Sequence, residues 1–328
     1  MKKLSIALMG LLFLFGWFDS GKQIGAAEHY PVKPITFIVP LEAGSDGDVL
    51  ARPLCQKVST LLGQPIVIVN KPGAGSSIGY RELYGTRPDG YTIGWGSATI
   101  IAVKLQGIFP YDHEDFTVMG TYATYIPIIV GSTKTQRPFK TIAEVLSFAK
   151  SHPGEVTIAT SGVGQVWWIA TMAFQAETGL KFNIIPQPGA GGFAVAQVAG
   201  GHTDLAILGL GAAKPQVAAG NVQFLAVFGS KKAAGYEHVP TLKETGYDVQ
   251  LESTQVIMGP PKMPKDVTDK LVEAFRVAAN DPEYRRFVME RNAVPYYMPP
   301  GQAVNFFNEQ RKVYRTILTN AGILKEKQ

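Results

Sequence analysis

Short apolar runs alternate along the chain with longer stretches in which apolar residues recur every three or four positions. Ile35 to Val39, Ile66 to Val69, Tyr91 to Trp95, Ile126 to Val130, Val156 to Ala159, Phe182 to Ile185, Asp204 to Leu208, Phe224 to Phe228 and Val256 to Met258 read as strands. The stretches between them read as helices. Thr141 and Glu144 form a capping box ahead of Val145, Leu146 and Phe148, and Pro153-Gly154 ends that helix. Further helices are expected from Lys265 to Ala279, from Pro282, and from Gln302 to Ala321 before Gly322. Strands alternating with helices predict α/β layers around mostly parallel sheets.

One pattern occurs twice. Ile66 to Val69 leads into Asn70-Lys71-Pro72-Gly73-Ala74-Gly75 and a helix, and Ile184-Ile185 leads into Pro186-Gln187-Pro188-Gly189-Ala190-Gly191 and a helix. The repeat points to two similarly built lobes. Glycine in such a turn permits positive φ and close backbone approach, and the helix that follows presents unpaired N–H groups and a partial positive charge. Both turns would face a crevice between the lobes, at the ends of parallel strands.

Composition narrows the class. With 328 residues, 46% hydrophobic and 17% charged, the chain is long enough for two domains and too apolar for disorder. Its 35 glycines and 22 prolines lack the three-residue period of collagen. The single cysteine, Cys55, excludes an intrachain disulfide, a redox pair and a thiolate zinc cluster, and it reads as a small core hydrophobe. Lys2 and Lys3, the apolar run Leu4 to Phe18 and Gly25-Ala26-Ala27 have the form of a signal peptide over residues 1–27. That run falls short of the roughly 20 residues of a membrane span, and no cysteine follows it for lipidation. Its removal takes three lysines and one aspartate, lowering the net charge from +5 to +3. No dense Lys/Arg block remains, so nucleic acid is not expected as a partner, and the bacterial periplasm is the expected location.

Several segments together carry a family resemblance. YPVKPITFIVPLEAGSDGDVLAR (Tyr30 to Arg52), NKPGAGSSIG (Asn70 to Gly79), RPDGYTIGWGS (Arg87 to Ser97), IATSGVGQ (Ile158 to Gln165), PQPGAGG (Pro186 to Gly192) and GHTDLAILG (Gly201 to Gly209) resemble the Bug family. These are substrate-binding proteins of tripartite tricarboxylate transporters. The resemblance implies an α/β, type II periplasmic binding protein-like fold: two α/β domains with a ligand cleft between them and two crossover segments. The crossovers would lie near Ala123 to Ile128 and Leu251 to Gln255. Domain 1 would comprise residues 28–125 plus 254–328, and domain 2 residues 126–253. Such a protein, read as a monomer, closes on a small ligand and presents it to a membrane permease. No catalysis, cofactor or metal is implied.

Carried over by position, the first lobe contributes Leu41, Glu42, Gly44, Ser45, Asp46, Gly47, Asp48, Ser97, Ala98 and Thr99 to the ligand site. The second contributes Thr160, Ser161, Gly162, Gly164, Gln165, Trp168, Gln187, Gly189, Ala190 and Gly191. These Gly-, Ser- and Thr-rich turns suit an anion. The chain departs from the family pattern at Glu42 and Asp46, which add carboxylates, at Trp167-Trp168, and at Gln187-Pro188. The departures favour a ligand less anionic than citrate: an amino acid, an aromatic acid or an amide. Pro53 suggests that the first helix starts late or kinks.

Two rival chemistries deserve comparison. Ala43-Gly44-Ser45-Asp46-Gly47 approximates a hydrolase elbow, with Ser45 as nucleophile, but its first glycine is replaced and one mature strand precedes it. Of the histidines it would need (His29, His113, His152, His202 and His238), His113, His152 and His202 read as exposed. Glu42, Asp46 and Asp48 could ligate calcium, but they lack the EF-hand series and read as solvated carboxylates. Nucleotide-binding glycine motifs are absent. A sensory role, with the liganded form touching a receptor, is an alternative to delivery to a permease.

Overall fold

A computed structural model describes residues 30–325 apart from 189, 190, 230, 231, 234 and 250. The expected signal peptide lies outside the described residues. In chain order, β1 (Ile35–Val39) leads to α1 (Asp46–Leu62), β2 (Ile66–Asn70), α2 (Ser77–Tyr84), β3 (Thr92–Gly96), α3 (Thr99–Leu105) and β4 (Thr117–Tyr125). The chain continues through β5 (Pro127–Ser132), α4 (Ile142–Ser151), β6 (Thr157–Thr160), α5 (Val166–Thr178), β7 (Asn183–Pro186), α6 (Gly192–Ala199), β8 (Leu205–Gly209), α7 (Leu210–Ala218) and β9 (Val222–Val227). It ends with β10 (Ser253–Gly259), α8 (Lys265–Asn280), α9 (Pro282–Glu290), β11 (Val294–Pro295) and α10 (Pro300–Asn320).

The strands form two sheets, ordered β11-β4-β10-β3-β1-β2 and β7-β6-β8-β5-β9. In each sheet three parallel strands take the same arrangement. β1 lies between β2 and β3, as β6 lies between β7 and β8. The repeated turns leave the matching edge strands, β2 and β7, which agrees with the two-lobe reading of the motif. The sheets are nevertheless mixed, not mostly parallel: β10 runs antiparallel to β3 and β4, and β5 antiparallel to β8 and β9. Strands buried on both faces are apolar in either direction, so composition does not report orientation. β4 was not anticipated because Gly, Thr and Tyr interrupt its apolar run, yet eight of its nine residues are buried.

Ile126 alone separates β4 in the first sheet from β5 in the second. The chain returns between Val227 and Ser253, and β10 pairs with β4 beside the first crossing. The Thr124 and Thr254 hydroxyls meet there at 2.9 Å. α8 and α10 pack on β4, and α10 also reaches α3 and α5. The largest core gathers Phe37, Tyr80, Tyr122, Phe275 and Phe307, and a smaller one covers the outer face of the second sheet around Val130, Val198 and Leu208.

α1 starts at Asp46 and runs through Pro53, neither late nor broken. Burial of Leu50, Ala51, Leu54, Cys55 and Val58 along one face offsets the hydrogen bond that proline removes.

Candidate ligand-binding site

The turn after β1 is shaped by a buried carboxylate. Asp48 accepts from the Gly44 N–H (2.9 Å), from Arg52 Nε and Nη2 (2.9 and 2.8 Å) and from Asn70 Nδ2 (3.0 Å). Asn70 also donates to the Leu41 carbonyl at 3.0 Å, tying the turn to the end of β2. Burial opposes ionisation of Asp48, but these donors outweigh it and hold its pKa below the ordinary value. Asp48 therefore frames the site, and its carboxylate is fully engaged in doing so.

The fixed turn delivers the first residues of α1 against β3. Gly47 is required: a Cβ there would lie 2.7 Å from Trp95 Nε1 and 3.0 Å from Leu41 Cδ1. Trp95 stacks on Tyr80, with centroids 6.5 Å apart, and donates to Gln255 Oε1 at 2.6 Å. Gln255 in turn donates to the Ser253 carbonyl at 2.7 Å. The Ser97 hydroxyl donates to Thr99 Oγ1 at 3.1 Å and accepts the Thr99 N–H at 3.2 Å.

Across the cleft, the turn after β6 has no charged residue. Ser161 Oγ accepts the Trp168 N–H at 3.1 Å, and Thr171 donates to Thr160 Oγ1 at 3.1 Å. Thr160 and Trp168 thus support the turn from behind. Trp167 faces the cleft instead, wedged between Gly191 and Gly209, where added Cβ atoms would lie 3.2 and 3.1 Å from its ring.

Between these turns lies a cavity of about 50 Å³, lined by Leu41, Asp46, Gly47, Ser76, Trp95, Ser97, Thr99 and Tyr125 from the first sheet's side. Ser161, Gln165, Val166 and Trp167 line it from the second, with Ser253 and Gln255 from β10. Its size suits a few waters or part of a small solute in a closed cleft. The N-termini of α1 and α5 both reach it, and their caps, Ser45 and Gln165, make no side-chain capping bond. Ser161 takes the Trp168 N–H, and the N–H groups of Asp46, Gly47 and Val166 are left for other acceptors. Gln106 Nε2 donates to the Gly164 carbonyl at 3.2 Å, a contact between the lobes at the cavity's edge. A larger groove of 530 Å³ along α1 and β2 is open surface flanked by a single lobe, and one of 390 Å³ on the outer side of Asp46 is lined from both.

Asp46 contributes the one charged side chain among the described residues lining the cavity. Part of it remains accessible, but protein surrounds the carboxyl, and desolvation raises its pKa from 3.8 to about 6. Its backbone carbonyl accepts from Tyr125 at 3.3 Å.

Of the residues expected at the site, Leu41, Asp46, Gly47, Ser97, Thr99, Ser161 and Gln165 meet at the cavity. Glu42 and Gly44 are exposed outside it, Ala98 packs in the core, and Ser45, Asp48, Thr160, Gly162, Gly164, Trp168, Gln187 and Gly191 do not line it. Gly189 and Ala190 lie outside the described residues. Trp167 takes the place expected of Trp168, since adjacent helical residues point in different directions. Sequence reading missed Ser76, Trp95, Tyr125, Val166, Ser253 and Gln255. Ser253 and Gln255 had a legible sign, being polar residues at the start of an apolar strand.

The rival chemistries find no geometry. Ser45 Oγ is buried without a partner. His113, expected to be exposed, is buried against Phe307 with Nε2 3.1 Å from Asn308 Oδ1. Burial pushes its pKa down, partly opposed by Asp112. Among the described residues no group of three His, Cys, Asp or Glu side chains could hold a metal.

Residues 50–323 match the model of the tripartite tricarboxylate transporter family receptor. The chain belongs to that family. Its members are substrate-binding receptors, not enzymes, as the resemblance implied. BugT of Bordetella pertussis is 28% identical over 322 residues, covering 95% of this chain and 97% of BugT. The solved structure of a periplasmic transporter, 29% identical, superposes with a TM-score of 0.80 over 90% of this chain and 99% of its own. The periplasmic binding protein BugD, 25% identical, gives 0.79 over 90% and 100%. These matches establish the type II binding-protein fold. No helix among the described residues is long and apolar enough to cross a membrane.

Proposed function

We propose that this receptor works in the periplasm as a monomer, closing residues 28–125 plus 254–328 against residues 126–253 around a small organic acid, and delivers it to a tripartite-type permease. The observation that carries the reading is the junction of two helix N-termini, from α1 and α5, whose N-cap side chains make no capping bond, at one cavity lined from both lobes. Backbone N–H groups and the hydroxyls of Ser97, Thr99 and Ser161 suit a carboxylate. Trp95 and Trp167 provide apolar walls for the rest of the ligand. Micromolar binding corresponds to about −8 kcal/mol, and hydrogen bonds to a charged group contribute roughly 1.5–3 kcal/mol each, so three to five donors suffice.

Thermal unfolding of the protein with a panel of mono-, di- and tricarboxylic acids, amino acids and aromatic acids tests the reading. A ligand at 100 times its Kd adds about 2.7 kcal/mol, a shift of several degrees. Stabilisation by at least one member, lost in Gly47→Val, is the expected result. No shift with any member overturns solute binding, and turnover of a member overturns the receptor role.

A further inference from the structure

Among the described residues, the cavity's lining carries one negative charge and no positive one. No lysine, arginine or histidine is among the described lining residues, and the only charged side chain among them is Asp46. Its carboxylate has no hydrogen-bond or ion-pair partner among the described residues. Lys214 and Arg291 line a groove on the outer side of Asp46, but neither forms an ion pair with it. The Gln165 Oε1 atom, also in a cavity-lining residue, is buried and unpartnered. Two acceptors thus await donors in a site whose helix N-termini supply donors that await an acceptor. A ligand that is all carboxylate satisfies the second requirement and violates the first, because like charges repel strongly where water is thin.

The position of Asp46 makes the requirement specific. A Cβ on Gly209 would lie 3.5 Å from Asp46 Oδ2 and 3.1 Å from Trp167 Cζ2, so carboxylate and indole border the same spot from opposite lobes. A cation between them gains charge pairing from one and ring attraction from the other. It also supplies the partner that an enclosed carboxylate otherwise lacks.

We infer that Asp46 is the specificity-determining residue of this site, selecting a zwitterion whose ammonium group it holds beside Trp167 while the helix N-termini hold the carboxylate. The substrate class is then a small amino acid, not a di- or tricarboxylate. This inference rests on the solute-binding reading above.

Isothermal titration at pH 7.5 with pairs that differ only in the amino group tests it: succinate and L-aspartate, butyrate and L-2-aminobutyrate, 3-phenylpropionate and L-phenylalanine. For at least one pair the amino member is expected to bind tenfold or more tightly than its deamino partner, and Asp46→Asn is expected to reduce that ratio at least tenfold. Asp46→Ser serves as a second variant should the first fold poorly. A preference for the deamino member, or a ratio unchanged in both variants, overturns the inference and leaves solute binding standing. Binding of no pair overturns it as well, whereas solute binding falls only if the wider acid panel also fails.

Discussion

The turns after β1 and β6 occupy equivalent places in equivalent βαβ units, yet they are held by different chemistry. The first is clamped by an ionised carboxylate with donors from Gly44, Arg52 and Asn70. The second is held by neutral bonds, the main one joining the Trp168 N–H to Ser161 Oγ. Equivalent topology therefore fixes where a ligand can sit but not what the walls offer it. The acidic turn keeps a charge inside the cleft at Asp46, and the neutral turn answers it with Trp167.

Removing the charged clamp should have the largest effect. Asp48→Ala removes the charged acceptor that Arg52 and Asn70 share and is expected to cost about 2–3 kcal/mol, moderated because Arg52 is half exposed, as chemical unfolding would measure. A cost under 1 kcal/mol would mean that the turn is held by something else. Next comes Gly47→Ala, whose added methyl meets Trp95; overpacking of this kind costs about 1–3 kcal/mol and should weaken ligand binding at least tenfold in calorimetry.

Asp46→Asn acts in the opposite direction. A carboxyl raised to about 6 favours the protonated folded state, so its contribution is complete below about pH 4, falls as pH rises to 6 and is flat above. At neutral pH the ligand-free variant should be more stable than wild type by on the order of 1–2 kcal/mol, and its stability profile should lack that fall. Asp48 titrates with the reverse sign: its clamp is present above the ordinary carboxyl pKa and is lost as pH falls below it. Asp48→Ala should therefore lose most stability at neutral pH and progressively less as pH falls below the ordinary carboxyl range. The smallest effect is expected at the neutral turn, where Ser161→Ala removes one hydrogen bond and costs about 1 kcal/mol in the same unfolding assay.

Periodicity and turn chemistry located nine of the eleven strands among the described residues because Val and Ile concentrate in them and Gly and Pro punctuate them. The strand β4 escaped, since Gly120 and five Thr or Tyr residues interrupt its apolar character while tertiary packing still buries it. Residues adjacent to a glycine-rich turn could be nominated from the sequence, and seven of them reach the cavity. Which member of the turn points inward could not, because a rotation of one residue exchanges Trp167 for Trp168 and one of two residues exchanges Asp46 for Asp48. Gln255 arrives from more than 150 residues away through its bond to Trp95, a pairing that no local spacing records.

The single residue between β4 and β5 bears on how the molecule can move. Two strands that run almost without interruption from one sheet into the other leave few torsions in which to store a rotation, and Ile126 holds most of them. β10 lies alongside, stapled by Thr124 and Thr254, so twisting and sliding of the sheets would tear a ladder while bending across it would not. If the proposed closure takes place, the joint would act as a door on a pin rather than as a ball in a socket, bringing Asp46 and Trp167 back to the same registry.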